Sequence, residues 1–154
     1  MQIKGTLIPI GGNEDKGFQA EESNSLDFIE EGILSHVVQE AGGVDVKIVV
    51  IPAASSIPVE VGENYIAAFE KLGCTDIHVL QILERSDSEK PEAIALIKAA
   101  DCIMFSGGNQ SKITKKIADT TIHKILVERY HNESGFVIAG TSAGAMVMAN
   151  EMIA

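Results

Sequence analysis

The chain has 154 residues, of which 45% are hydrophobic and 22% charged, and its net charge is −10. This length suits one domain with one core, so residues 1–154 are predicted to form a single α/β domain. The acidic balance, without a basic stripe, argues against a nucleic-acid partner. No apolar run is long enough for a membrane span, and the N-terminus lacks a signal-peptide pattern, so we expect a cytoplasmic location.

The two cysteines and the acidic N-terminal stretch carry weaker signals. Cys74 and Cys102 are too few for a disulfide framework and lack metal-ligand spacing, so we expect two reduced, buried thiols and no metal site. Seven acids and one lysine fall between Asn13 and Glu31. They form either a solvated loop and helix face or a surface that attracts a cationic substrate.

Five short apolar runs predict β-strands. Most are continuously apolar instead of alternating, which is typical of strands that are covered on both faces. The predicted strands are Ile3–Ile10, Val46–Ile51, Ile77–Leu83, Cys102–Phe105 and Phe136–Ala139.

Helical patterns alternate with these strands. The first is an apolar stripe from Leu26 to Ala41, and the second runs from Pro58 to Leu72. Ser86 and Glu89 resemble a capping box before a third helix that ends near Ala99. A fourth stretch runs from Ser111 to Tyr130 with a break near residues 119–121, and the last helix starts at Ser142. This alternation predicts a doubly wound parallel sheet.

Three glycine-rich loops directly follow predicted strands: GGNED after the first, SGGNQ after the fourth and GTSAG after the fifth. In such sheets, ligands bind beyond the carboxyl ends of the strands. A strand order of 3-2-1-4-5 would bring the three loops together. Neither Gly-Gly loop matches a dinucleotide or P-loop pattern, so no cofactor is predicted.

The GTSAG loop contains G-x-S-x-G, with Ser142 between a predicted strand and a predicted helix. This is the context of a nucleophile elbow, in which a strained turn exposes a serine hydroxyl. The amide of Ala143, at the start of the helix, is placed to donate to an oxyanion. The alternative is that the small residues only allow tight packing of strand against helix.

The SGGNQ loop is a candidate for the second oxyanion donor. Gly107 and Gly108 tolerate positive φ and leave no Cβ in the way of a substrate. Asn109 and Gln110 add uncharged hydrogen-bonding groups at the loop tip. A plain β-to-α turn is the alternative.

Several separated motifs together resemble cyanophycinase, a serine peptidase family of the dipeptidase E clan. They are GTLIPIGGNEDK, KIVVIPAASSIPVEVGENYIAAFEKLG, MFSGGNQSKI and ERYHNESGFVIAGTSAGAMVM. The resemblance implies a flavodoxin-like, class I glutamine amidotransferase-like fold. It also implies a serine exopeptidase that cleaves cyanophycin, a poly-aspartate chain bearing arginine on its side chains, into β-Asp-Arg dipeptides.

The resemblance also implies roles for individual residues. Ser142 matches the nucleophile, Gly108 and Ala143 match the oxyanion-hole amides, and Gln110, beside Asn109, matches a residue that lines the substrate pocket. The resemblance therefore implies a peptide partner, either cyanophycin or another β-aspartyl or arginyl peptide, and a homodimer for the complete protein.

The catalytic base is not evident. The resemblance implies an acid and then a histidine after the serine, but only 12 residues follow Ser142 and none is histidine. Surface or packing roles are expected for the four histidines at positions 36, 78, 123 and 131. Glu151 does not match the spacing of the family's acid.

Two explanations of the missing base stay open. The chain is either the N-terminal portion of a longer peptidase, truncated after the nucleophile helix, or a shortened relative without the triad. In both cases we expect the isolated chain to have little or no peptidase activity. The non-enzymatic alternatives are a flavodoxin-like binding module and a half-domain that needs a partner chain.

Overall fold

A computed structural model describes residues 2–11 and 32–146, apart from the side chains of residues 143 and 146. Five strands form one sheet: β1 (Thr6–Ile10), β2 (Ile48–Ile51), β3 (Ile77–Val79), β4 (Cys102–Phe105) and β5 (Val137–Thr141). Every strand pair is parallel. Strands β2, β4 and β5 are buried throughout, as the continuous apolar runs predict.

Helices connect the strands. They are α1 (Leu34–Ala41), α2 (Pro58–Lys71), α3 (Pro91–Ala99), α4 (Gln110–Ile117), α5 (Thr121–Asn132) and α6 (Ala143–Met146), with a 3₁₀ helix at Arg85–Glu89. Proline at the first position starts α2 and α3, and Gly42 in the left-handed region ends α1. The predicted break in the fourth helical stretch is confirmed, since Thr120 caps a new helix.

The helices cover both faces of the sheet. Alternate residues of each strand point to opposite faces, so Val49 and Ile103 enter one core cluster while Val50 and Met104 enter the other. The first cluster includes side chains of α3, α4 and α5, and the second includes side chains of α1 and α2. The predicted doubly wound α/β architecture is therefore confirmed.

The strand order differs from the expected one. The sheet runs β1-β5-β4-β2-β3, so the expected order 3-2-1-4-5 is wrong. In the described residues β1 lies at an edge and pairs only with β5, with Pro9 opposite Gly140. Proline has no N–H for a second ladder, which is why it suits an edge strand. The ends of β1, β5 and β4 are still neighbours.

Two local expectations are also corrected. The third strand ends at Val79 and not at Leu83, because Pro52 follows its partner β2 and offers no N–H for a longer ladder. Ser86 and Glu89 do not form a capping box; Glu84 and Asp87 do, at the 3₁₀ helix. The predicted helix residues before position 32 and the acidic stretch lie outside the described residues.

The structure also tests two further predictions, that the cysteines are buried and that no segment spans a membrane. Cys74 and Cys102 are free and buried, as expected, and burial raises the pKa of the Cys102 thiol to about 12. Within residues 2–11 and 32–146, no helix has the length and apolarity that crossing a membrane requires.

Candidate active site

Ser142 lies between the end of β5 and the start of α6, at the strand-to-helix turn that the sequence predicts. Its φ is 52°, in the left-handed region, which costs a non-glycine residue about 1–2 kcal/mol. Its N–H donates to the carbonyl oxygen of Ile10 at 2.9 Å, which ties the turn to the end of β1. The side chain is partly exposed. A strained, partly exposed serine at this edge is a functional-site candidate.

Glycines let neighbouring backbone approach this turn. A Cβ on Gly144 would lie 2.7 Å from the carbonyl oxygen of Phe105, so α6 lies directly against the end of β4. A Cβ on Gly107 would lie 3.6 Å from the Cβ of Ser142. The structure therefore brings together the SGGNQ loop and the GTSAG turn, as predicted.

Gly108 is the most constrained residue of the SGGNQ loop. Its φ is 138°, and a Cβ there would lie 2.2 Å from the carbonyl oxygen of Ala54. The next amide, of Asn109, donates to that same carbonyl at 3.0 Å. The loop is thus seated on the turn between β2 and α2, and only glycine fits at position 108.

The two amides that the sequence suggests as oxyanion donors have no partner among the described residues. The N–H groups of Gly108 and Ala143 make no hydrogen bond to any atom in residues 2–11 or 32–146. Ala143 is the first residue of α6, and the first amides of a helix have no intrahelical acceptor. Both N–H groups are chemically suited to donate hydrogen bonds to a ligand oxygen.

Asn109 and Gln110 lie at the start of α4. The Asn109 side-chain oxygen accepts the N–H of Ser111 at 2.9 Å, so Asn109 is the N-cap of the helix. This structural role was not predicted, although Asn followed by a helical pattern is a recognisable cap signal. Gln110 is the first helical residue and is partly buried.

A buried tyrosine lies beneath the candidate nucleophile. The hydroxyl of Tyr65, on α2, is 3.4 Å from the Oγ1 of Thr141, the residue before Ser142. Burial raises the pKa of Tyr65, and the hydrogen bond to Thr141 partly opposes that rise. The sequence places Tyr65 on the apolar face of its helix but contains no signal for this contact, which joins residues 76 positions apart.

All four histidines lie among the described residues, and each pairs with a residue other than Ser142. His36 lies 3.8 Å from Glu40, and His78 lies 2.6 Å from Asp76. His123 accepts the N–H of Asp119, and His131 pairs with the carbonyl of Val127. The surface or packing roles that we expected agree with these contacts. The GGNED loop lies outside the described residues beyond its first glycine.

Comparison with known proteins places this site in a family. The model of peptidase family S51 matches residues 21–154. The chain belongs to peptidase family S51. The predicted resemblance to cyanophycinase is confirmed by relatives with that name.

Three cyanophycinases illustrate the similarity of this S51 chain. It is 33% identical to the one from Trichormus variabilis over 98% of its own length and 47% of the relative's. It is 31% identical to that of Geminocystis herdmanii and 34% identical to that of Synechococcus elongatus, with 52% and 43% of those proteins covered. The chain thus spans about half the length of the curated relatives that it matches.

Solved structures agree on the fold. A peptidase from an acI-B1 Actinobacterium superposes with a TM-score of 0.72 at 26% identity, over 95% of this S51 chain and 57% of that protein. A putative peptidase E protein from Listeria monocytogenes gives a TM-score of 0.63 at 20% identity, over 98% and 64%, which supports the fold alone. These peptidase structures confirm the predicted α/β fold class with its parallel sheet.

Proposed function

We propose that the protein acts as a serine exopeptidase on cyanophycin and releases β-Asp-Arg dipeptides. The observation that carries this proposal is the conformation of Ser142, a left-handed non-glycine residue at a strand-to-helix turn beside a second glycine loop. Membership of a peptidase family and the cyanophycinase relatives support the substrate class.

The proposed reaction is acyl transfer through Ser142. Its Oγ attacks the scissile carbonyl carbon while a base takes the hydroxyl proton, and the carbonyl oxygen becomes an oxyanion. The unpartnered amides of Gly108 and Ala143 would hold that oxyanion. Collapse expels the leaving amine, which receives the proton, and water then hydrolyses the acyl-enzyme. Gln110 and Asn109 would contact the peptide.

The general base is the open part of this proposal. None of the four histidines in the sequence contacts Ser142 in the structure, since each pairs elsewhere. We therefore propose that the isolated 154-residue chain has little or no turnover, and that the acid and the histidine come from outside it. Assembly as a homodimer and a cytoplasmic location stay predictions.

A serine-directed fluorophosphonate tests the nucleophile. With the protein as its own cells make it, we expect mass spectrometry to find the adduct on the peptide that contains Ser142. The adduct should be lost in Ser142→Ala. It should be kept in Ser111→Ala, which removes a serine from the same edge of the sheet. Absence of any adduct at Ser142 would contradict the proposed nucleophile.

The substrate is tested separately by incubating the same protein with cyanophycin. Release of β-Asp-Arg that depends on Ser142 is the expected result. Cleavage of other aspartyl peptides but not of cyanophycin would leave the peptidase proposal standing and overturn the substrate.

Within residues 2–11 and 32–146 no histidine pairs with Ser142, and this favours one second candidate, a binding module without chemistry. Calorimetry of the 154-residue chain with β-Asp-Arg, ATP and flavin separates the candidates. The cyanophycinase proposal predicts binding of the dipeptide alone, whereas binding of ATP or flavin would favour a nucleotide-binding module. A third possibility, a half-domain completed by another chain, is contradicted if light scattering shows a compact monomer.

A further inference from the structure

The ammonium group of Lys116, a residue of helix α4, lies close to the turn that follows β2. Lys116 is in the last turn of α4, and its Nζ donates to the carbonyl oxygen of Ala53 at 3.0 Å. Side chains of a helix lean toward its N-terminus, which lets this lysine reach back along the helix. The side chain is partly buried.

The N-terminal end of α4 forms a hydrogen bond to the next carbonyl of the same turn, that of Ala54. The N–H of Asn109, the N-cap residue, donates to the carbonyl oxygen of Ala54 at 3.0 Å. Two consecutive carbonyls, of Ala53 and Ala54, therefore accept hydrogen bonds from the two ends of one helix. The turn cannot shift along α4 without breaking one of these bonds.

The Ala54 carbonyl also packs directly against Gly108. A Cβ at position 108 would lie 2.2 Å from that oxygen and 3.0 Å from the nitrogen of Ser55. Where the Ala53–Ala54 turn lies thus determines where the Gly108 peptide lies. In the proposed function, that peptide supplies one of the two oxyanion donors.

We infer that Lys116 is a positioning residue for the SGGNQ loop and acts through the Ala53–Ala54 turn. This inference rests on the proposed function for its effect on reactivity. Among the described residues, the Lys116 ammonium donates to Ala53 and makes no hydrogen bond to Ser142 or Gly108. Its hydrogen bond fixes the carbonyl against which the loop is seated.

The electrostatic environment agrees with a specific role for this lysine. Burial lowers the pKa of Lys116, the positive charge of Lys112 on the same helix adds to that effect, and Asp87 of the 3₁₀ helix opposes it. An exposed lysine would avoid this desolvation. Its neighbour Lys115 is exposed, so it provides a matched control.

The first test is the rate at which a fluorophosphonate modifies Ser142 in the protein as its own cells make it. Misplacing a catalytic group by about 1 Å costs up to about 10²-fold, so we expect Lys116→Met to lower the rate constant about 10-fold. Lys115→Met should stay within about twofold of the wild type, since position 115 is exposed. Lys116→Arg, which keeps a cationic donor, should restore most of the rate.

The second test does not depend on reactivity. NMR hydrogen exchange of the Asn109 amide reports the bond to the Ala54 carbonyl directly. In the wild type and in Lys115→Met this amide should be protected. In Lys116→Met it should exchange about 10-fold faster, while amides of the central strand β4 keep their protection because the fold is intact.

The outcomes separate this inference from the proposed function. If Ser142 of the wild type is not modified, the proposed function fails, and the Asn109 exchange still decides whether Lys116 positions the loop. If Ser142 is modified equally fast in Lys116→Met and Asn109 stays protected, the inference is overturned while the proposed function stands. If all amides of Lys116→Met exchange faster, the variant is destabilised as a whole, and Lys116→Arg decides instead. If Lys116→Arg is folded but its Asn109 amide is not protected, the inference is also overturned.

Discussion

The two edges of the central strands β4 and β5 are built in opposite ways. At the amino edge, Arg129 donates to the carbonyl of Ile97 at 2.8 Å, pairs with Glu133 at 2.7 Å and lies 4.1 Å from the centre of the Phe136 ring. At the carboxyl edge, Ser142 holds a strained φ beside amides that lack partners in the described residues. Polar groups are satisfied at one edge, and at the other they are left available to a ligand.

This contrast indicates how one sheet could combine stability with the reactive site that we propose. Strain and unpaired donors cost free energy, and they persist only where the surrounding structure holds them in place. The paired amino edge and the two core layers provide that support. Variants at the two edges should therefore differ in what they change. Substitutions at the amino edge should alter stability alone, and substitutions of the residues that contact the Ser142 turn or the SGGNQ loop at the carboxyl edge should also alter reactivity at Ser142.

The largest effect is expected for Gly108→Ala. The new Cβ would overlap the Ala54 carbonyl at a positive φ, so we expect a loss of at least about 3 kcal/mol of unfolding free energy and no labelling of Ser142. Gly135→Ala is the matched control, since Gly135 also has a positive φ, of 87°, but open space around it. It should cost about 1–2 kcal/mol, and labelling should be normal. Equal unfolding free energies in urea would show that the contact with Ala54 is unimportant.

A smaller effect, limited to stability, is expected for Arg129→Met. The substitution keeps an apolar stem but leaves the carbonyls of Ile97 and Ala100 without their donor, which should cost about 2–4 kcal/mol. Urea unfolding measures this loss, and the Ser142 labelling rate below the transition should not change. Glu128→Gln, an exposed change on the same helix, should leave both quantities unaltered. Slower labelling in folded Arg129→Met would contradict the separation of the two edges.

Loss of the hydrogen bond between Tyr65 and Thr141, next to Ser142, should lower the free energy of unfolding by a smaller amount. At 3.4 Å the Tyr65–Thr141 hydrogen bond is long, so Tyr65→Phe should cost about 0.5–1 kcal/mol. Thr141→Val removes the other hydroxyl at similar volume. If the two groups interact, the double variant should lose less than the sum of the single losses in urea unfolding. Strictly additive losses would show that the contact contributes nothing.

The sequence predicted the strand-to-helix turn at Ser142 better than it predicted the strand order of the sheet. The bounds of β4 were predicted correctly because an apolar run stands between polar residues 101 and 106. The position of Ser142 followed from small residues between a strand and a helix. The strand order was not predictable in this way, because an apolar run shows that a strand is buried but not which strand it pairs with. Pro9 was the one local sign that β1 is an edge strand.

Contacts between distant parts of the chain were missed for a related reason. Periodicity placed Tyr65 on a buried helix face, but only the packing of α2 against the sheet brings its hydroxyl to Thr141. The Lys116–Ala53 bond likewise depends on how α4 lies against the turn after β2. A surface lysine and a turn alanine carry no pattern that links them. Sequence patterns thus identified the turn that holds the candidate serine but not the residues that support it.

The smallest effect, at a well-paired part of the carboxyl edge, is a dependence of stability on pH. The Asp87 carboxylate accepts the N–H groups of Leu83 and Glu84 and pairs with Lys90 at 2.6 Å. The Lys90 contact first, and then the two amides, lower the pKa of Asp87 from 3.8 to about 2. Because the folded-state pKa is the lower one, the carboxylate stabilises the fold above pH 3.8 and that contribution is lost as pH falls through about 2.

Asp87→Asn tests this pairing. The variant should melt at a lower temperature than the wild type at pH 6, and the difference in melting temperature should shrink between pH 4 and pH 2, where the wild-type carboxylate becomes protonated. Labelling of Ser142 at pH 6 should be unchanged, because the Asp87 side chain binds Leu83, Glu84 and Lys90 and makes no hydrogen bond to Ser142 or to the SGGNQ loop within the described residues. A difference in melting temperature that stays constant down to pH 2 would show that shape, and not charge, explains the effect. A change in labelling would instead extend the reactive region to the end of β3, so the paired part of this edge would no longer be separate from the site.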